Sequence, residues 1–146
     1  MTNHLRASDL DLDTKTDDGL FGWFLASLLF ARPIQEQVAA HAWRVLIADG
    51  FTTPESFVAA GSSVIDHELW QGNYRRLVGV MAEELPRVMS ALIEEYGSVR
   101  KLVATAKNKV ELEARLELFR GVGPKTAEIF LREVPLDAIG RALPAA

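Results

Sequence analysis

The chain has 146 residues, of which 49% are hydrophobic and 25% charged, with no cysteine and a formal net charge of −4. That composition describes one globular domain with a core of its own, and it excludes a fibrous protein, a disulfide framework and any cysteine-held zinc or iron–sulfur cluster. The acidic balance excludes a protein that coats nucleic acid by bulk attraction, so a polyanion would have to be held by a local patch.

Residues 1–16 are acidic and lack sustained periodicity, which predicts a leader that is mobile or loosely docked ahead of a single domain over 17–146. The aspartates at 9, 11 and 13 lack the glycine and terminal glutamate of a calcium loop and read as a solvated strip. Asp17 or Asp18 is the expected N-cap of an apolar helix through Leu20, Trp23, Phe24, Leu28 and Leu29, central in the core because it is apolar on every side. This run is shorter than the roughly 20 residues needed to span a bilayer. An acidic segment precedes it, so the expected protein is soluble and cytoplasmic, with no membrane partner.

Arg32-Pro33 breaks that helix, and Pro33 is expected to open a second one that Asp49-Gly50 stops. Thr53-Pro54 starts a short helix ending near Gly61, and a further helical piece runs from Ser62 to about Leu69, ahead of the turn Gln71-Gly72-Asn73. From Tyr74 a helical period continues to Tyr96-Gly97, with Pro86 as a kink or break. Glu83-Glu84 and Glu94-Glu95 read as solvated faces. Val99 to Ala106 and Lys109 to Phe119 are shorter helices, the latter with Val110, Leu112, Leu116 and Phe119 as its buried side. No stretch alternates with period two, so the class is all-α, an orthogonal helical array.

The segment that carries chemistry is Leu118-Phe119-Arg120-Gly121-Val122-Gly123-Pro124-Lys125-Thr126-Ala127. Two glycines around one small apolar residue, followed by a proline, predict a tight helix-to-helix turn. In it Gly121 and Gly123 permit positive φ and close backbone approach, and Val122 points inward. The second helix would then present unpaired amides and the positive end of its dipole, an arrangement suited to phosphate. Its binding residues would be Arg120, Gly121, Val122, Gly123, Lys125 and Thr126. An ordinary glycine-closed turn is the alternative. The charge distribution agrees with the phosphate reading: the basic residues of 1–70 are Arg6, Lys15, Arg32 and Arg44 alone, and the others lie beyond.

Phe119 to Ala127 resembles the helix-hairpin-helix motif of the endonuclease III-like DNA glycosylases, the HhH-GPD superfamily, whose hairpin reads Leu-Pro-Gly-Val-Gly-x-Lys-Thr-Ala. Leu20 to Leu46 is similar to that family's opening helix pair, Thr53-Pro54-Glu55 resembles the segment that follows it, and the likeness covers roughly 18–134. It implies a six-helix barrel module ending in the hairpin, a nucleoid-associated protein acting on damaged or abasic double-stranded DNA, and Lys125 as a nucleophile that attacks C1′ and allows β-elimination. Lys125 could instead only neutralise a phosphate. The family's catalytic acid has Asp137 as its weak counterpart here, and Asp137 could equally be an N-cap. Arg32 stands where relatives place a gap-filling glutamine. Trp70, Asn73 and Tyr74 are the remaining wedge or base-stacking candidates, while Trp23 and Trp43 read as core. No iron–sulfur cluster or metal is implied, though a monovalent cation at the hairpin is compatible. His4, His41 and His67 have no metal-ligand spacing. A non-catalytic DNA-binding module and a purely structural interaction domain are the rival readings.

Overall fold

Burial along the run from Leu20 to Phe30 organises the molecule. In a computed structural model that describes residues 4–141, this run forms α1 (Asp17–Phe30), and every residue from Gly19 to Phe30 is buried. The remaining elements are α2 (Glu36–Ala48), α3 (Pro54–Gln71), α4 (Val78–Glu95), α5 (Val99–Ala104), α6 (Lys109–Leu118) and α7 (Pro124–Leu131), with short 3₁₀ turns at Ala7–Leu10 and Leu136–Ala138. The chain is all-helical, with no strand among the described residues, and none of its described helices is long and apolar enough to cross a membrane.

Several boundaries differ from the sequence reading for identifiable reasons. The cap of α1 is Thr16, whose side chain accepts from the Gly19 amide, while Asp17 and Asp18 fall in the first turn, where the helix dipole favours negative charge. Pro33 does not open α2. It sits at the centre of a three-residue turn closed by the Ile34 amide on the Arg32 carbonyl at 2.7 Å, a place that suits its fixed φ. The helix expected from Tyr74 begins instead at Val78, because the Tyr74 ring is drawn fully into the core and its hydroxyl donates to the Leu29 carbonyl at 3.0 Å. Pro86 lies within α4 without ending it, since Met81, Leu85, Val88, Met89 and Leu92 keep one face buried on both sides of the proline. Gly61, at φ +79°, divides α3 into the two pieces that the sequence separates. Val110 is 80% exposed, not buried.

The leader, expected to be mobile or loosely docked, meets the helices through a few residues, while His4 and Arg6 stay exposed. Ala7 and Leu10 are buried, and three groups converge on Glu133: Arg6 forms an ion pair at 3.1 Å, the Ala7 amide donates at 2.8 Å, and the Thr14 hydroxyl donates to the Glu133 carbonyl at 2.7 Å. Burial pushes the Glu133 carboxyl up, but the Arg6 bond and charge with the Ala7 amide hold it below its ordinary value. The packing is close enough that a Cβ on Gly19 would lie 1.9 Å from the Asp13 carbonyl oxygen.

Between α2 and α3 lies a carboxyl pair. Burial first, then the neighbouring Asp49 carboxyl, push the Glu68 carboxyl up to about 7, and Glu68 Oε2 is buried with no hydrogen-bond partner among the described residues. A carboxyl raised above its unfolded value of 4.5 stabilises the fold fully only below that value, and the contribution is lost as pH climbs through 7. Glu68→Gln, which fixes the uncharged form, is therefore expected to match the natural protein near pH 5 and exceed its stability near pH 8 by about 1 kcal/mol after solvent screening. Urea unfolding at the two pH values measures this.

Candidate functional site

The connection between α6 and α7 is held from below by aromatic packing. Phe119 is buried, with its ring edge-on to Phe24 at 6.5 Å and to Tyr96 at 6.2 Å. Val122 is buried as expected, its amide closing the turn on the Phe119 carbonyl at 3.0 Å.

The two glycines differ in kind. Gly121 has φ +89°, the left-handed region that favours glycine, and a Cβ there would fall 2.1 Å from Glu84 Oε1, so that the Glu84 carboxylate would have to shift. Gly123 has φ −114° and ψ −170°, ordinary extended backbone and not the positive φ expected. A Cβ at Gly123 meets nothing within 4 Å. The fold therefore does not demand glycine at position 123.

Glu84, read from the sequence as part of a solvated face, is buried instead. It is 4% exposed, and it pairs with Arg32, whose Nη2 also donates to the Gly121 carbonyl at 3.2 Å. Arg32 thus ties the end of α1 to α4 and to the turn, and it does not stand free as a gap-filling wedge. The signal was present: Glu84 falls three residues after Met81 and four before Val88, on the apolar stripe of α4.

Beyond Gly123, α7 starts without a side-chain cap. The first helical bond at its start is Ala127 N to Gly123 O at 3.2 Å, and the amides of Gly123, Lys125 and Thr126 donate to no acceptor among the described residues. Thr126 is buried, whereas Arg120 and Lys125 are exposed. Neither cation is within salt-bridge distance of a described acid. Glu128, one turn further on, is held below its ordinary value by its hydrogen bond to Arg132 at 3.0 Å, by the Arg132 charge and then by the charge of Lys125.

Lys125 lines a cleft of about 180 Å³ with His4, Phe30, Ile34, Glu36, Ile129 and Arg132. Asp137 does not join it. The chain turns away after α7, and the Gly140 amide bonds the Val103 carbonyl at 3.3 Å, which carries the Leu136–Ala138 turn toward α5. Asp137 is exposed there and lines a separate depression with Lys15, Arg100 and Arg141.

The other candidates separate into surface and core. Trp70 is 45% exposed with the Arg75 guanidinium over its ring at 4.8 Å, and Asn73 is exposed in left-handed conformation at φ +64°. Tyr74 is fully buried, so it is not available for stacking. Its burial pushes the hydroxyl above its ordinary value, against the charge of Arg32. Trp23 and Trp43 are core, as read. No group of three or more metal-ligating side chains occurs among the described residues.

No family model matches the chain, and neither a curated protein nor a solved structure is significantly similar to it.

Proposed function

We propose that α6 and α7 form a helix-hairpin-helix closing an orthogonal six-helix array, and that the protein binds damaged or abasic duplex DNA as a glycosylase or abasic-site lyase with Lys125 as nucleophile. The observation that carries this reading is the open start of α7. A glycine that the fold does not need stands beside three amides without acceptors, between two exposed and unpaired cations. Backbone N–H groups at a helix N-terminus form an anion site, and a missing side chain lets a phosphate reach them. Trp70 and Asn73 remain as surface groups for base contact.

Gly123→Ala separates function from folding. It is expected to leave stability within about 1 kcal/mol, the range of an N-cap change, while weakening affinity for an abasic-analogue duplex by about tenfold, the worth of one charge-assisted contact to phosphate. Fluorescence anisotropy and urea unfolding give the two readouts, and unchanged affinity would remove the phosphate site. Covalent chemistry is read by borohydride trapping on an abasic oligonucleotide: a cross-linked species should form and be lost in Lys125→Ala.

A second reading, a DNA-binding module without catalysis, is favoured by the separation of Asp137 from the cleft of Lys125. It expects the same affinity pattern, a steep dependence on salt, and no trapped species.

A further inference from the structure

We infer that the groove between the leader, the start of α1 and the end of α2 is a docking site for a basic segment of a partner protein, one in which a large apolar side chain is flanked by lysine or arginine. The groove shares no residue with the cleft of Lys125, and the inference does not depend on the hairpin reading. Its volume is about 370 Å³, within the roughly 300–1,000 Å³ range of ligand pockets. The floor is apolar: Phe21 and Trp43 are buried there, and Leu12 and Ile47 are partly buried against the same core. The rim is Asp11, Asp13 and Asp18, all exposed, and no lysine, arginine or histidine lines the groove.

These three carboxylates have no counter-charge of their own. No basic group among the described residues lies within salt-bridge distance of Asp11, Asp13 or Asp18. The cations closest in sequence or packing are engaged elsewhere. Lys15 lines a separate depression, Arg100 pairs with Asp17 at 2.7 Å, and Arg44 donates to the Asp9 carbonyl at 3.5 Å. A single ammonium would balance one of the three charges and leave two. A segment with several basic groups balances them together while an apolar side chain between them covers the floor, so complementarity of charge and of apolar surface selects a peptide over a free amine.

The rim is set before anything binds. Thr16 donates to the Asp13 carbonyl through its amide at 3.0 Å and its hydroxyl at 2.8 Å, and the Leu12 amide bonds the Ala7 carbonyl at 3.0 Å. A site already ordered costs less to occupy. Its place in the fold also matters. The cleft of Lys125 takes Phe30 and Ile34, whereas the groove takes Gly19 and Gly22 from the other end of α1. Gly19 and Phe30 are about 16 Å apart along the helix axis at 1.5 Å per residue. The acidic rim repels a polyanion, so a partner seated here leaves the start of α7 open.

The test titrates the full, isotope-labelled chain with the synthetic peptide Gly-Lys-Lys-Trp-Lys-Lys-Gly and follows its amide and indole resonances. The Gly22 amide and the Trp43 indole N–H should shift, and the amides of 123–126 should not. Replacing the tryptophan of the peptide by alanine should weaken binding by about tenfold, the lower end for burying one large apolar side chain. Asp11→Asn combined with Asp18→Asn should weaken it by about fivefold, the loss of two exposed ion pairs. Asparagine tolerates the left-handed conformation of position 11, φ +58°, and Asp13 is left intact because its Oδ1 accepts the Lys15 amide. Should that pair of substitutions fail to fold, Thr52→Lys adds a cation at an exposed lining position and should weaken binding by about threefold. Equal binding of the tryptophan and alanine peptides would reduce the groove to a strip of acids. Tryptamine binding as tightly as the peptide would make it a site for one amine. Either result overturns the inference, as do shifts confined to other residues, or none up to about 1 mM peptide.

Discussion

Arg32→Met is expected to destabilise the protein by about 3 kcal/mol, the lower end of the penalty for removing one partner of a buried ion pair. The Glu84 side chain is only 5% exposed, so the substitution strands a carboxylate away from water and also removes the donor to the Gly121 carbonyl. Glu84→Gln alone should cost about 1 to 2 kcal/mol, because a neutral amide can still accept from the guanidinium. Combining the two should cost less than their sum, since residues in contact share one interaction. Urea denaturation of the four proteins gives the coupling directly, and additive losses would mean that the pair does not act as a unit. The same cycle carried into DNA-binding measurements would show whether the shape of the α6–α7 turn depends on this strut.

Trp23→Phe is expected to cost about 3 kcal/mol and to loosen the end of α7 specifically. Trp23 is wholly buried, and its Nε1 donates to the Ile129 carbonyl at 3.2 Å and the Phe130 carbonyl at 3.1 Å. Phenylalanine leaves these carbonyls without that donor and leaves a void where the second ring was, and the two penalties add. Trp43→Phe is the internal comparison. Its indole donates to one carbonyl, that of Gly22 at 2.9 Å, so its loss should be about half as large by the same reasoning. Hydrogen exchange at the amides of 129–134 should accelerate in Trp23→Phe and not in Trp43→Phe.

The helices were legible because their signals are local. Thr53-Pro54 opens α3 as expected, and α5 and α6 start at Val99 and Lys109 as expected, where the structure shows the Ser98 and Asn108 side chains capping them. The turn at 119–123 was legible for the same reason, down to the inward Val122. What escaped depends on residues far apart in sequence. The burial of Glu84 needs Arg32, 52 residues away. The docking of the leader needs Glu133, which receives the Arg6 guanidinium from 127 residues away. Tyr74 was misplaced because its hydroxyl finds an acceptor 45 residues back. The same holds at the candidate site: His4 and Glu36 reach the cleft of Lys125 from the leader and from α2, both distant in sequence.

The Trp23 bonds to 129 and 130 and the clasp of Arg6 on Glu133 also bear on how the protein is made. These contacts join positions 106 to 127 residues apart. With synthesis proceeding at about 5–20 residues per second, roughly 5–25 s pass between the emergence of α1 and that of the helix that covers it. Throughout that interval the apolar surface of α1 lacks its α7 partner. Contacts of such long range also slow folding once the chain is complete. The central helix that gives the finished molecule its core is therefore the segment of the nascent chain most in need of protection from association.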